Sequence, residues 1–200
     1  MITINPRVSG QVARLITDIL APANLVIGGL PLVGLAAKSP SAGFLWGCLA
    51  ALFAGVIPLT VILLGVRQGQ LSDIHIIDRE QRHMPLLVSI LSVALGLALL
   101  YILPAAGEVR ALTVAMLAGL IATAAITRVW KVSIHTAVAT GFAVVFGTTF
   151  GGPAWLAVLP AVAIGWSRVR LGDHTLSQVF GGAVLGAIVT VTVYTTFAGM

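Results

Sequence analysis

Apolar residues run through this chain in seven long stretches with almost nothing polar inside them. They lie at roughly 15–37, 44–66, 86–103, 111–127, 132–150, 154–166 and 176–198. A helix needs about 20 apolar residues to cross the hydrocarbon of a bilayer. Only 8% of the residues are charged, against about 25% in a soluble domain, so the chain cannot cover a water-facing surface with polar groups. The runs are continuous rather than alternating, which selects helices over a β-barrel, and an open sheet cannot sit in lipid. The expected fold is all-α: a polytopic transmembrane helical bundle of six to seven spans, one integral membrane domain over residues 1–200, multi-pass in the cell membrane.

Two of the runs carry prolines. Pro22 is expected to break the first, which is then partly re-entrant, and Pro160 to kink the short sixth. That first run is long, holds Asp18 and Pro22, and is followed by further spans, so no cleavable leader is expected. Small residues recur at helical spacing at Gly47, Ala51 and Gly55, and again at Gly182 and Gly186. Such spacing lets helices approach closely. Cys48, the single cysteine, lies inside an apolar run and has no internal disulfide partner.

The net charge is +5 and the isoelectric point is near 10.4. The basic residues are spread thinly between apolar runs, which argues against nucleic acid and for membrane lipids or phosphate as partners. The sequence carries no signal for an oligomeric state.

Three polar clusters hold most of the chemistry: "DREQRHMP" from Asp78 to Pro85, "RVWKVSIH" from Arg128 to His135, and "SRVRLGDH" from Ser167 to His174. Two spans separate the first from the second, and two more separate the second from the third. An even number of crossings returns the chain to the same face, so all three are expected to converge. Taken singly, each reads as an interfacial loop with basic anchors. Together they supply Arg, Lys and helix N-termini, which are what an anionic phosphate requires. His135 and His174 suit nucleophilic and general-acid roles beside such a cradle. Metal binding by His75, His83, His135 and His174 is the rival chemistry. It lacks an HxxxH or HExxH pair, and the neighbouring cations oppose it.

"SRVRLGDH" has the form SRxxxxxH and resembles the third motif, SRxxxxxHxxxD, of the type 2 phosphatidic acid phosphatase (PAP2-like) membrane phosphoesterases. "VSIH" at Val132 to His135 resembles the second motif, PSGH, and "DREQRHMP" stands where the first, KxxxxxxRP, belongs. The resemblance covers about residues 67–190. It implies a helical-bundle lipid-phosphate phosphatase that needs no metal or other cofactor. By this resemblance His174 is the nucleophile that forms a phosphohistidine, and His135 protonates the leaving group. Arg168 and Ser133 bind phosphate. For the cation of the first motif two alternatives stand: Arg79 and Arg82 share the role, or Lys131 beside the second motif supplies it. Gln178 stands at the aspartate position that supports the nucleophile.

The departures are specific. Aligning Arg82 with the arginine of the first motif puts His75 at its lysine, whereas aligning Met84-Pro85 with RP puts Ile77 there. Val132 and Ile134 replace Pro and Gly in the second motif. Gln178 brings a hydrogen-bond acceptor without a charge, and Asp173, adjacent to His174, is expected to point elsewhere. The reading is a phosphatase for a phosphomonoester or diphosphate on an acyl or polyprenyl lipid, with a related phosphotransferase using the same residues. A non-catalytic lipid-phosphate binder or carrier with a degenerate site is the alternative. The site-side segments carry Arg7, Arg14, Arg67, Arg79, Arg82, Arg128, Lys131, Arg168 and Arg170, against Lys38 and Arg110 opposite. The positive-inside rule then places the site in the cytoplasm.

Overall fold

The computed structural model describes residues 6–198, with side chains from residue 8 onward. Among the described residues nine α-helices follow one another: α1 (Pro6–Ile19), α2 (Pro22–Gly34), α3 (Pro40–Ala51), α4 (Ile57–Arg67), α5 (His83–Ile102), α6 (Gly107–Thr127), α7 (Ile134–Phe150), α8 (Val158–Arg170) and α9 (Leu176–Ala198). No strand forms among the described residues.

Among the described residues four helical segments are long and apolar enough to cross a membrane: Pro40–Arg67, Glu80–Ile102, Gly107–Thr127 and Leu176–Ala198. A fifth is reached if the bent pair Val8–Ile19 and Pro22–Gly34 counts as one span. The chain is thus a multi-pass membrane protein with fewer full-length spans than the six to seven expected. The shortfall falls on α7, of 17 residues, and α8, of 13. α7 is held between α2, α8 and α9.

The prolines act locally. The first apolar run divides at Pro22, which begins α2, and the two halves meet at a bend of 46°. Pro160 does not kink its helix as expected. It sits in the first turn of α8, where a missing N–H costs nothing. Pro58 is absorbed by a π-helical turn at Leu52–Val56, in which the Ile57 N–H bonds back to the Leu52 carbonyl. That register frees the Phe53 carbonyl, and the Ser92 hydroxyl of α5 donates to it at 2.6 Å. A freed backbone acceptor at membrane depth needs such a partner.

The core lies between α2, α6, α7 and α9, with Leu30, Val33, Val109, Ala111 and Val145 fully buried. Large apolar side chains such as Leu87, Leu91 and Leu95 on α5 point outward, as lipid contact requires. The glycine spacings do the packing they suggest. A Cβ at Gly182 would overlap the Ser133 carbonyl, one at Gly186 the Ala137 carbonyl, and one at Gly47 the Leu30 backbone. α9 therefore lies almost backbone to backbone on the first turns of α7, which fixes His135 relative to the start of α9.

Candidate active site

The three polar clusters meet at one end of the bundle, as the count of crossings requires. Arg168 occupies the last turn of α8 and is 1% exposed. The helix ends there in a Schellman turn. The Asp173 N–H bonds to the Arg168 carbonyl at 3.1 Å and the Gly172 N–H to the Val169 carbonyl at 3.0 Å. Gly172, at φ 77°, supplies the left-handed residue this turn needs. The reversal brings the Asp173 carboxylate back to Arg168, with Oδ2 3.0 Å from Nη1. Asp173 thus points away from His174, as expected.

That ion pair is off the hydrogen-bonding direction. Among the described residues none of the three Arg168 guanidinium nitrogens has a hydrogen-bond partner, although all are buried. His135 Nε2 is buried and equally unpartnered. Leaving buried donors unpaired costs about 1–3 kcal/mol each, more when charged. An anion with several acceptor oxygens removes that cost.

His174 follows the turn and precedes α9. Its Nδ1 lies 3.2 Å from Gln178 Oε1. The same oxygen accepts the Thr175 N–H at 3.1 Å, and the Gln178 N–H donates to Thr175 Oγ1 at 3.3 Å. Thr175 and Gln178 therefore form a reciprocal capping box for α9. Burial first, then Arg168, Arg82 and Lys131, push the His174 imidazole down to about 3, while the Gln178 bond acts the other way. The ring is neutral at neutral pH.

Ser133 is fully buried and caps the N-terminus of α7. Its hydroxyl accepts a long 3.5 Å bond from the Thr136 N–H, and its own N–H donates to the Gln178 carbonyl at 3.2 Å. Lys131 donates from Nζ to the Asp173 carbonyl at 2.8 Å. Burial, then the nearby Arg82, holds its ammonium below the ordinary lysine value. Arg82 is buried and donates from Nε to the Ile76 carbonyl at 2.9 Å and from Nη1 to the Val132 carbonyl at 3.1 Å. It ties the first cluster to the second. Among the described residues no side-chain hydrogen bond or ion pair joins Arg79 to this group; it is half-buried, and its carbonyl accepts the Arg82 N–H at 3.2 Å. His83 is exposed at the start of α5. Among the described residues no three metal-ligating side chains converge.

His75 enters the site beyond the expected set. Its ring lies 5.2 Å from that of His135, tilted by 58°, and its Nε2 lies 3.0 Å from Asp18 Oδ1. The spacing from His75 to Arg82 was a visible signal for it. Nothing in the sequence pointed to Asp18, which comes from α1. Thr175 was legible, since Thr-x-x-Gln is a capping-box pattern.

Below this polar end an apolar cavity of about 260 Å³ begins at His75, Arg82 and His135. It continues past Pro58, Val93, Leu112, Gly141, Phe142 and Val189, between α2, α4, α5, α6, α7 and α9.

Residues 131–199 match the family model of the PAP2 superfamily. The match contains Lys131, Ser133, His135, Arg168, His174 and Gln178, and leaves His75, Arg79 and Arg82 outside. No curated protein and no solved structure matches the chain. The resemblance read from the second and third motifs is borne out over this stretch.

Proposed function

We propose that this chain, PAP2-like over residues 131–199, is an integral membrane phosphatase acting on a phosphomonoester or diphosphate of an acyl or polyprenyl lipid. The observation that carries the reading is the buried Arg168 guanidinium without a hydrogen-bond partner, set among His135 and His174. The apolar cavity that starts at His135 supports a lipid rather than a water-soluble ester.

In this mechanism Arg168, with Lys131 and Arg82 adding positive charge, holds the phosphoryl oxygens. His174 Nε2 attacks phosphorus as a neutral imidazole. The P–N bond forms, the P–O bond to the lipid breaks, and the departing oxygen takes a proton from His135, which in this mechanism receives it from the bound phosphate monoanion. Water then attacks phosphorus on the reverse path. The P–N bond breaks, His135 takes the proton from water, and phosphate leaves. A second lipid or alcohol in place of water makes the same site a phosphotransferase.

One observation favours a binder instead. The residue supporting His174 is the neutral Gln178, which orients the ring but brings no charge to the imidazolium formed during attack. Phosphate release from a panel of lipid phosphates by purified protein in EDTA separates the two readings. We expect release by the wild type and loss of release, with lipid binding retained, in His174→Ala. Full activity in His174→Ala, or inhibition by EDTA that added metal reverses, overturns the mechanism.

A further inference from the structure

α1 precedes the matched segment, yet it is bonded side chain to side chain onto α8, beside Arg168. Thr17, 2% exposed, shares a 2.9 Å hydrogen bond with Ser167, which is fully buried. Each is the chain neighbour of a charged residue, Asp18 and Arg168. Farther along, Arg170 donates from Nη2 to the Ser9 hydroxyl at 2.8 Å. These bonds set the position of Asp18 relative to Arg168.

Asp18 then holds His75. The His75 side chain is 16% exposed and that of Asp18 62%, so the carboxylate sits at the solvent edge and the ring points inward. The backbone around the ring is constrained as well. The His75 N–H donates to Asp73 Oδ1 at 2.8 Å. Ile76 adopts φ 47°, which for a β-branched residue costs about 1–3 kcal/mol, and the Arg82 guanidinium clasps its carbonyl. With Nε2 committed to Asp18, the ring nitrogen Nδ1 has no hydrogen-bond partner among the described residues, while the ring stands beside His135 on the cavity wall.

We propose that Asp18 and His75 form a carboxylate–imidazole pair that completes the anion site, with His75 donating to bound phosphate and Asp18 positioning it. In the bound state the ring lies as an imidazolium between two anions, donating Nε2–H to the carboxylate and Nδ1–H to a phosphate oxygen. Such charge-assisted bonds are about twice as strong as neutral ones. The inference rests on the reading of Arg168 as a phosphate site.

Inorganic phosphate is the probe, titrated calorimetrically into the full chain in detergent, so no turnover is needed. The proteins are wild type, His75→Ala, His75→Lys, Asp18→Asn and, as a control on the far loop, Lys38→Ala. Binding in His75→Ala should weaken by about tenfold, or about 1.4 kcal/mol. His75→Lys should return most of the loss, because it restores a cation without the ring. Asp18→Asn should weaken binding by a smaller factor, and Lys38→Ala not at all. Rescue by lysine separates an anion contact from a structural role, and thermal melting identifies any variant that fails to fold, for which Asp18→Asn then decides. Wild-type binding with no loss in His75→Ala or Asp18→Asn overturns this inference and leaves the Arg168 reading intact. No binding by the wild type overturns both.

Discussion

Gln178 holds His174 through an oxygen whose identity is fixed independently. Oε1 accepts the Thr175 backbone N–H at 3.1 Å, so the oxygen, not the amide nitrogen, faces His174 Nδ1 at 3.2 Å. An acceptor there requires Nδ1 to carry the hydrogen, which leaves the Nε2 lone pair free, as the proposed attack on phosphorus requires. A neutral amide thus performs the orienting part of the work of a carboxylate.

Gln178→Glu keeps length and shape, preserves the capping box, and adds the missing charge. It should raise the His174 imidazole from its value of about 3 and stabilise the positive ring formed during attack. The gain is confined to the transition state, so kcat should rise by about threefold to tenfold with little change in KM. Gln178→Ala should lower kcat by about tenfold or more through loss of orientation. Both constants on one lipid phosphate decide it. A folded Gln178→Glu protein no faster than wild type shows that charge at this position does not limit the rate.

The His174 ring should stay neutral in the free protein. Its nitrogen resonances should show no titration between about pH 5 and pH 8, where an ordinary histidine changes charge. Below about pH 6.5 the unfolded chain takes up a proton that folded His174 refuses until about 3. The stability from this group is therefore complete above about 6.5 and is lost as pH falls toward 3. His174→Gln should flatten that part of the acid-unfolding profile. A ring titrating near 6.5 in the wild type contradicts both expectations.

The sequence made the convergence of the clusters legible because parity of crossings is indifferent to helix ends: misplacing α7 or α8 by several residues leaves their ends on the same faces. It misjudged spans where burial replaces length. α7 is short for lipid but lies among other helices, and Pro160 marks the start of α8 rather than a kink. Within the site, Arg168, His135 and His174 were legible because their neighbours in the chain carry the pattern. The Asp18–His75 pair was not, because its partners lie 57 residues apart and are brought together by α1 docking on α8. Arg79 was named as a stand-in for the missing lysine of the first motif; the structure gives the bridging role to Arg82.

Gly182 and Gly119 provide a matched pair for the packing of α9. A Cβ at Gly182 would overlap the Ser133 carbonyl and crowd Thr136 Oγ1, whereas one at Gly119 meets only Val189 at 4.0 Å. Backbone cannot step aside as a side chain can. Gly182→Ala should therefore destabilise by about 1–3 kcal/mol and reduce activity, because the Ser133 N–H to Gln178 carbonyl bond spans the same contact. Gly119→Ala should be neutral or stabilise by up to about 1 kcal/mol. Thermal melts in one detergent compare them, and equal losses at both positions contradict the close approach of α7 and α9.

Charges that take no part in the proposed chemistry predict the side of the membrane on which the site works. At the site end, leaving out Arg82, Lys131 and Arg168, there remain Arg7, Arg14, Arg67, Arg79, Arg128 and Arg170; the opposite loops carry Lys38 and Arg110. Arg110 also stacks over the Tyr101 ring at 5.3 Å. Lys and Arg near helix ends favour the cytoplasmic side, so the site should face the cytoplasm. Ser72, in the loop before Arg82, and Ser41, at the start of α3, are both exposed and report the two faces. Cys48 is exposed as well and must first be removed as Cys48→Ala. An impermeant thiol reagent on intact cells should then label Ser41→Cys and spare Ser72→Cys until the membrane is permeabilised. The reverse pattern would place the cationic cradle outside, and its arginines would then be retained for phosphate against the topological bias rather than with it.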